Sequence, residues 1–144
     1  MNNTYSTEER LMAAISHAAV IVSGPGILVG LVIWLTQREK STFAARHGLQ
    51  AAVYQLLGFI AIIALWFLWG FFYFLTFIPI IANPNQYQDA PPPIFWVGMG
   101  SMIIPMAFMV IWVLYGLWGA LRCLQGHDFN YAILGKYLHR DLHR

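Results

Sequence analysis

The charged side chains of this 144-residue chain are confined to a few short segments. None of its six Asp and Glu or eight Lys and Arg residues falls within 11–37, 47–88 or 90–121. Each of these stretches is longer than the roughly 18 apolar residues that indicate a transmembrane helix. Only 10% of the chain is charged and 59% is hydrophobic, whereas a soluble domain has about 25% charged residues. The pattern predicts an all-α, polytopic membrane protein.

The first predicted span, at about 11–36, has a helix-breaking motif near its middle. Ser6 and Glu9 stand at the spacing of a capping box, which predicts a helix start before the span. Gly24-Pro25-Gly26 then removes a backbone hydrogen bond and loosens the helix. Two interpretations remain open: one kinked span, which we prefer, or a pair of half-helices that meet at the break without crossing.

Two further spans are expected, at about 47–80 and 94–121. The former is longer than one crossing needs. Two crossings would require a turn inside it, and nothing between Gly58 and Thr76 is polar enough to form one, so we expect one long, tilted helix. The latter is expected to kink at Pro105. With three transmembrane helices, residues 1–144 form a single helical membrane domain.

The tail, 122–144, completes this domain. Its apolar residues after position 132 fall on one helical face, with basic residues off that face. This pattern predicts an amphipathic segment lying on the membrane surface.

The distribution of Lys and Arg predicts the orientation. Loop 38–46 carries three positive residues and the tail four, whereas the leading segment carries only Arg10 and the second loop none. By the positive-inside rule, loop 38–46 and the C-terminus are cytoplasmic in a bacterial inner membrane. The N-terminus is then outside, or cytoplasmic if the first stretch is a pair of half-helices.

A small polar cluster is the candidate structural and functional site: His17, Arg46, His47 and Gln50. The last three share a helix face where the second span begins. We expect them to hydrogen-bond the break at 24–26 or the turn around His17. On the three-span interpretation the two histidines lie in opposite leaflets, which argues against a shared ligand; as a pair of half-helices, the first stretch would let them share a depth. The expected role of each imidazole is a hydrogen bond between helices rather than ligation. No cofactor-binding or metal site is therefore predicted.

Catalytic signatures are missing from the sequence. No predicted span contains Asp or Glu, so an intramembrane acid–base pair has no members. Ser16 and His17 are sequence neighbours and point about 100° apart on a helix. The single cysteine, Cys123, excludes an internal disulfide and a metal site built from cysteines. The positive residues form no block long enough for nucleic-acid binding. The chain is not expected to be an enzyme.

Several motifs resemble one family of small bacterial membrane proteins. The resemblance is strongest over 9–51, where it rests on Glu9-Arg10-Leu11, Ala14, Ser16-His17, Gly24-Pro25, Ile33-Trp34-Leu35, Lys40-Ser41-Thr42-Phe43, Arg46-His47 and Gln50-Ala51. That family is catalogued as a domain of unknown function and is similar to the Tic-twenty component of chloroplast protein import. The resemblance implies a helical membrane fold and little about activity.

The end of the chain also resembles the end of that family's domain. The matching residues are Ala120, Gly126, Phe129 and Tyr131, and Ala132 stands where a proline is usual.

The expected function is that of a non-catalytic membrane protein acting by association, as an accessory or structural subunit of a larger membrane complex. Its expected partners are the lipid bilayer and other membrane-protein subunits. The family resemblance offers a Tic-twenty-like translocation component as an alternative. His17 and His47 offer a second alternative, a haem- or pigment-carrying subunit.

Overall fold

The computed structural model describes residues 5–132, and this part of the chain is helical without any strand. Its α-helices are α1 Thr7–Ala18, α2 Gly24–Gln37, α3 Thr42–Leu75, α4 Ile78–Ala82, α5 Pro93–Gly100 and α6 Ile103–Leu124. Short 3₁₀ segments cover Ala19–Val22 and Pro84–Tyr87. The chain divides into two compact units, one formed by Met1–Phe59 with Trp112–Arg144 and the other by Ile60–Ile111. The prediction of an all-α chain is confirmed for the described residues.

Helix α1 begins with the expected capping box. The Glu9 backbone N–H donates to Ser6 Oγ at 3.2 Å, and the Ser6 N–H donates to Glu9 Oε2 at 2.7 Å. These bonds satisfy backbone donors that a helix start otherwise leaves free. The helix ends in the 3₁₀ turn before Ser23, whose φ of 53° lies in the left-handed region.

The first apolar stretch folds back on itself. Ser41, which follows α2, donates its hydroxyl to Glu9 Oε1 at 2.6 Å, and the Tyr5 ring stacks on Phe43 with centroids 3.8 Å apart. Both ends of the stretch therefore lie together. The kinked single span was the wrong interpretation, and α1 and α2 are the pair of half-helices. The residues before α1 and those after α2 are therefore neighbours in the described part of the chain.

Glycines permit the close approaches in this hairpin. A Cβ at Gly26 would overlap the carbonyl oxygen of Ala19 and the side chain of Gln55. Where α2 crosses α3, a Cβ at Gly30 would lie 2.8 Å from the carbonyl oxygen of Gly48. Both contacts are backbone approaches that only glycine allows.

Two helical segments are long and apolar enough to cross a membrane, by length and composition: Thr42–Ala82 and Pro93–Leu124. The first contains α3, which runs unbroken over 34 residues as one helix. It ends at Leu75, and a turn at 76–77 separates it from α4, whereas a single helix over about 47–80 was expected. The apolar helix α2 has only 14 residues, about 21 Å at 1.5 Å per residue. This length is too short to cross a hydrocarbon core of about 30 Å. Three transmembrane helices are not confirmed.

The interruption in the third stretch lies before the expected position. Helix α5 ends at Gly100 and α6 begins at Ile103, so the break falls at Ser101–Met102 rather than at Pro105. A proline lacks the N–H that would bond four residues back, and its ring collides with that carbonyl. The disturbed carbonyl belongs to Ser101, one turn before the proline.

The unit formed by Ile60–Ile111 is held together by aromatic side chains. Trp69 stacks on Tyr73 with ring centroids 5.1 Å apart, and its indole N–H donates to the carbonyl of Gly98 at 3.2 Å. Phe95 lies 5.6 Å from the Tyr73 ring. The dense aromatic segment thus provides the contacts within its own unit.

The start of the tail packs into the core. Gly126, with φ of 76°, turns the chain after α6. Phe129 and Tyr131 are then buried against Ala13, Ala14 and other small residues of the same unit. Residues 125–132 are therefore not an interfacial helix, because their aromatic side chains find a protein core. The amphipathic helix expected further on, over 133–144, lies outside the described residues.

Candidate functional site

Two histidines from separate helices meet in the interior of the unit formed by Met1–Phe59 and Trp112–Arg144. His17 belongs to the last turn of α1 and His47 to the early part of α3, and each is 0% exposed. His17 Nε2 lies 3.1 Å from His47 Nδ1. The hairpin of α1 and α2 creates this contact, because it returns the chain so that α3 begins beside α1. The expectation that the histidines occupy opposite leaflets is wrong.

Cys123 completes a group of three ligand-type side chains. It lies in the last turn of α6 with 0% exposure, and its Sγ is 3.6 Å from His47 Nδ1. The ligand atoms of His17, His47 and Cys123 all lie within 4.8 Å of one another. We refer to these three residues as the His–Cys cluster.

The outward nitrogens of both imidazoles face further polar groups. His17 Nδ1 is 2.9 Å from the Tyr131 hydroxyl, and His47 Nε2 is 3.3 Å from Asp128 Oδ1. Asp128 also forms an ion pair with Arg46. The Arg46 guanidinium therefore pairs with a protein carboxylate on the same unit.

The charge of Asp128 is stabilised by its neighbours. The His47 ring N–H and the Arg46 guanidinium lower the pKa of Asp128 to about 2, although partial burial acts in the opposite direction. Burial raises the pKa of the Tyr131 phenol, which therefore keeps its proton.

The contacts are consistent with one pair of neutral tautomers. With a proton on His47 Nε2, which faces Asp128 Oδ1 at 3.3 Å, His47 presents a lone pair at Nδ1. His17 Nε2–H then donates to that lone pair, and the Tyr131 hydroxyl donates to His17 Nδ1. Both imidazoles are neutral in this arrangement.

Gln50 joins α3 to the segment after α6. With its amide oriented to suit both neighbours, its nitrogen donates to the carbonyl of Phe129 at 3.0 Å and its oxygen accepts from the Tyr131 N–H at 2.8 Å. Gln55, five residues further along α3, donates to the carbonyl of Ser16 at 2.8 Å. The sequence predicted that the cluster of Arg46, His47 and Gln50 bonds the break at 24–26 or the turn around His17. In the structure His47 contacts His17 and Gln55 bonds the carbonyl of Ser16, whereas Gln50 bonds the tail.

The structure brings His17, Arg46 and His47 of the predicted polar cluster together, with Gln50 beside them. The polar cluster predicted from the sequence did not contain Cys123, Asp128 or Tyr131. Two features of the sequence pointed to the last two residues. Asp128 is the single acidic residue between Asp89 and Asp141, and Tyr131 belongs to the motif at the end of the domain that the chain resembles.

The geometry gives no support to a haem or pigment between the histidines. A bis-histidine haem holds its iron and macrocycle between two imidazole nitrogens. A separation of 3.1 Å between His17 Nε2 and His47 Nδ1 leaves no space for a macrocycle.

A protein-family model described as the magnetosome magnetite crystal formation protein family (MamF_MmsF) matches residues 8–138. No curated protein and no solved structure matches the chain. This family fits the expected small bacterial membrane-protein family, whereas similarity to Tic-twenty and the translocation alternative find no support in these comparisons.

Proposed function

The chain belongs to the magnetosome magnetite crystal formation protein family, and we propose that it is a non-catalytic integral membrane protein that assists magnetite formation by association with other membrane components. The family match over residues 8–138 carries this proposal. Its action is that of an accessory subunit: it occupies the membrane around the growing crystal and contacts neighbouring membrane proteins.

The exposed surface supports membrane insertion and association. Large apolar side chains of α3 and α6 are exposed, among them Phe67 at 77% and Ile111 at 67%. Exposed apolar surface on this scale needs lipid or another protein to cover it. Lipid tails suit the aliphatic side chains, and the aromatic ones provide flat surfaces for helix–helix contact.

The polar interior supports a structural rather than a catalytic role. The buried amides of Gln50 and Gln55 bond backbone groups of neighbouring segments. Two depressions on the described surface, one along α3 and one beside α1 and α2, are lined mainly by apolar side chains, which suit contact with lipid or with another apolar surface.

A two-span topology follows from this proposal. Segments Thr42–Ala82 and Pro93–Leu124 cross the membrane, and the hairpin of α1 and α2 enters one side without crossing. All eight Lys and Arg residues then lie on the cytoplasmic side, because the loop between the spans contains none. This distribution satisfies the positive-inside rule better than three spans do, since Arg10 is no longer outside.

The proposal is tested by complementation in a magnetosome-forming bacterium that lacks its own member of this family. We expect this chain to restore the length of the magnetite crystals, measured by electron microscopy, and a fluorescent fusion to locate to the magnetosome membrane. An empty vector is the baseline. Correct membrane insertion without any change in crystal length would contradict the proposal.

Association is tested with the exposed aromatic residues of α3. Alanine at Phe67, Phe71 and Phe74 together should reduce the restored crystal length while leaving insertion intact. The matched control is alanine at the exposed residues Leu56, Leu57 and Ile60 of the same helix. If the two triple variants behave alike, the aromatic surface is not the contact surface.

A further inference from the structure

We propose that His17, His47 and Cys123 form a binding site for one divalent transition-metal ion, with Zn²⁺ as the best-fitting ion. The site lies where α1, α3 and α6 meet, and all three residues are 0% exposed. This inference rests on the geometry of the His–Cys cluster and not on the proposed function.

Two of the three distances within the cluster are close to the edges of a tetrahedral metal site, and the third, between the ligand atoms of His17 and Cys123, is no more than 4.8 Å. Zn²⁺ binds histidine nitrogen at about 2.0–2.1 Å and thiolate sulfur at about 2.3 Å, which places two such nitrogens about 3.4 Å apart and nitrogen about 3.6 Å from sulfur. The observed separation is 3.1 Å between His17 Nε2 and His47 Nδ1. That between His47 Nδ1 and Cys123 Sγ is 3.6 Å. Small side-chain rotations bring these atoms around one ion.

The groups outside the cluster are those that orient metal-binding imidazoles. Ligating histidines usually use their second ring nitrogen to bond a carboxylate or another oxygen. Here Asp128 faces His47 Nε2 at 3.3 Å, and the Tyr131 hydroxyl lies 2.9 Å from His17 Nδ1. Each imidazole thus directs one nitrogen into the cluster and faces a protein oxygen with the other.

Binding of the metal ion to the His–Cys cluster releases one proton. The Cys123 thiol loses its proton to solvent and binds as a thiolate, while His47 already presents a lone pair at Nδ1. His17 exchanges tautomer: its proton leaves Nε2, and Nδ1 becomes protonated and donates to the Tyr131 oxygen. Both imidazoles remain neutral. Zn²⁺, one thiolate and two neutral imidazoles together have a net charge of +1, and Asp128 and Arg46 form an ion pair nearby.

The ligand set determines the class of metal. Two imidazoles and one thiolate suit Zn²⁺ and related borderline-soft ions, whereas Mg²⁺ and Ca²⁺ require oxygen ligands. Three protein ligands leave a fourth position for water. Asp128, 40% exposed on its side chain, lies between His47 and the surface and indicates the route of entry.

The test is titration of the full-length protein in detergent with Co²⁺ as a spectroscopic probe, purified through a tag without histidine. We expect one Co²⁺ per chain, with a thiolate-to-cobalt charge-transfer band that Zn²⁺ abolishes by displacement. Cys123→Ser should eliminate the band, and His47→Gln should weaken Co²⁺ binding at least tenfold. The matched control, His127→Ala, changes an exposed histidine four residues after Cys123 and should leave both unchanged.

A second measurement guards against variants that do not fold. Zn²⁺ should raise the melting temperature of the unmodified protein, and it should not raise that of Cys123→Ser. Absence of the thiolate band in the folded, unmodified protein would overturn the proposal. So would Co²⁺ binding that Cys123→Ser leaves intact, or binding that His127→Ala abolishes.

Discussion

Asp128 stands outside the apolar stretches, yet it connects the tail to α3. It forms an ion pair with Arg46 and faces His47 Nε2 at 3.3 Å. An ion pair that is partly exposed contributes little by itself, about 1 kcal/mol or less. Its position gives it a larger structural role, because the same carboxylate orients a buried imidazole.

The pH dependence of Asp128 can be measured. Its pKa is lowered from 3.8 to about 2 in the folded protein, so its stabilising effect is complete above about pH 4 and is lost as the pH falls through about 2. Asp128→Asn should lower the melting temperature at pH 7, by the equivalent of about 1 kcal/mol. The difference from the unmodified protein should shrink between pH 4 and pH 2. The exposed Asp89→Asn is the control; a difference that stays constant with pH would contradict this assignment.

Gln50 is more deeply buried than Asp128: it is 1% exposed, and its side-chain amide bonds two backbone groups. Gln50→Leu leaves the carbonyl of Phe129 and the N–H of Tyr131 without partners inside the core. An unpaired buried polar group costs about 1–3 kcal/mol, so thermal unfolding in detergent should show a loss of this size. Gln125→Leu, at an exposed position of the same unit, should change the melting temperature little. Equal effects of the two variants would exclude the bonds made by Gln50 as their cause.

Among the elements, the hairpin of α1 and α2 is the one on which the cluster depends. Its turn is tight because Ser23 adopts a positive φ and Gly26 lies against the backbone of Ala19. If the two helices continued in one direction, His17 could not reach His47. The interruption between α1 and α2 therefore determines the shape of the hairpin and also brings the residues of the His–Cys cluster together.

Two glycines of this turn offer a matched pair of variants. A Cβ at Gly26 would overlap the Ala19 carbonyl, whereas a Cβ at Gly24 would lie 3.8 Å from the Phe59 ring, an ordinary contact. Gly26→Ala should therefore destabilise the protein by about 1–3 kcal/mol through overpacking, and Gly24→Ala should not. Melting temperatures and yields of folded protein in detergent measure this difference. Similar stabilities of the two variants would argue against the close turn.

At the scale of the whole molecule, the topology can be tested with single cysteines in a Cys123→Ser background. Because Glu9 bonds Ser41, Glu8→Cys and Glu39→Cys should both be protected from an impermeant reagent added outside the cell. Asn85→Cys, in the loop between the two spans, should be labelled. All three positions are exposed on the protein, so the membrane alone should decide their reactivity. Labelling of Glu8→Cys together with protection of Glu39→Cys would restore the single kinked span.

Several features of this protein follow from local physical rules. Charge-free apolar stretches must form helices in lipid, because no water is available to satisfy the backbone. The capping box at Ser6 and Glu9, the unbroken α3 and the helix-breaking motif at 24–26 all depend on neighbours within a few residues. For that reason the linear pattern indicated each of them, although the interruption itself falls at 19–23 and Gly24-Pro25-Gly26 form the first turn of α2.

Only the tertiary contacts decided whether the chain kinks or reverses direction at the interruption of the first apolar stretch. A glycine–proline break is compatible with a kink or with a reversal, and the choice depends on the fit of Gly26 and Gly30 against other backbones. The same holds for the His–Cys cluster: His17 and Cys123 are far apart in sequence and meet only because α1, α3 and α6 end or begin at one level. Side chains of the tail, Phe129 and Tyr131, complete the core there. Long-range packing of this kind leaves no local periodicity in the sequence, so its residues could not be assigned until the helices were in place.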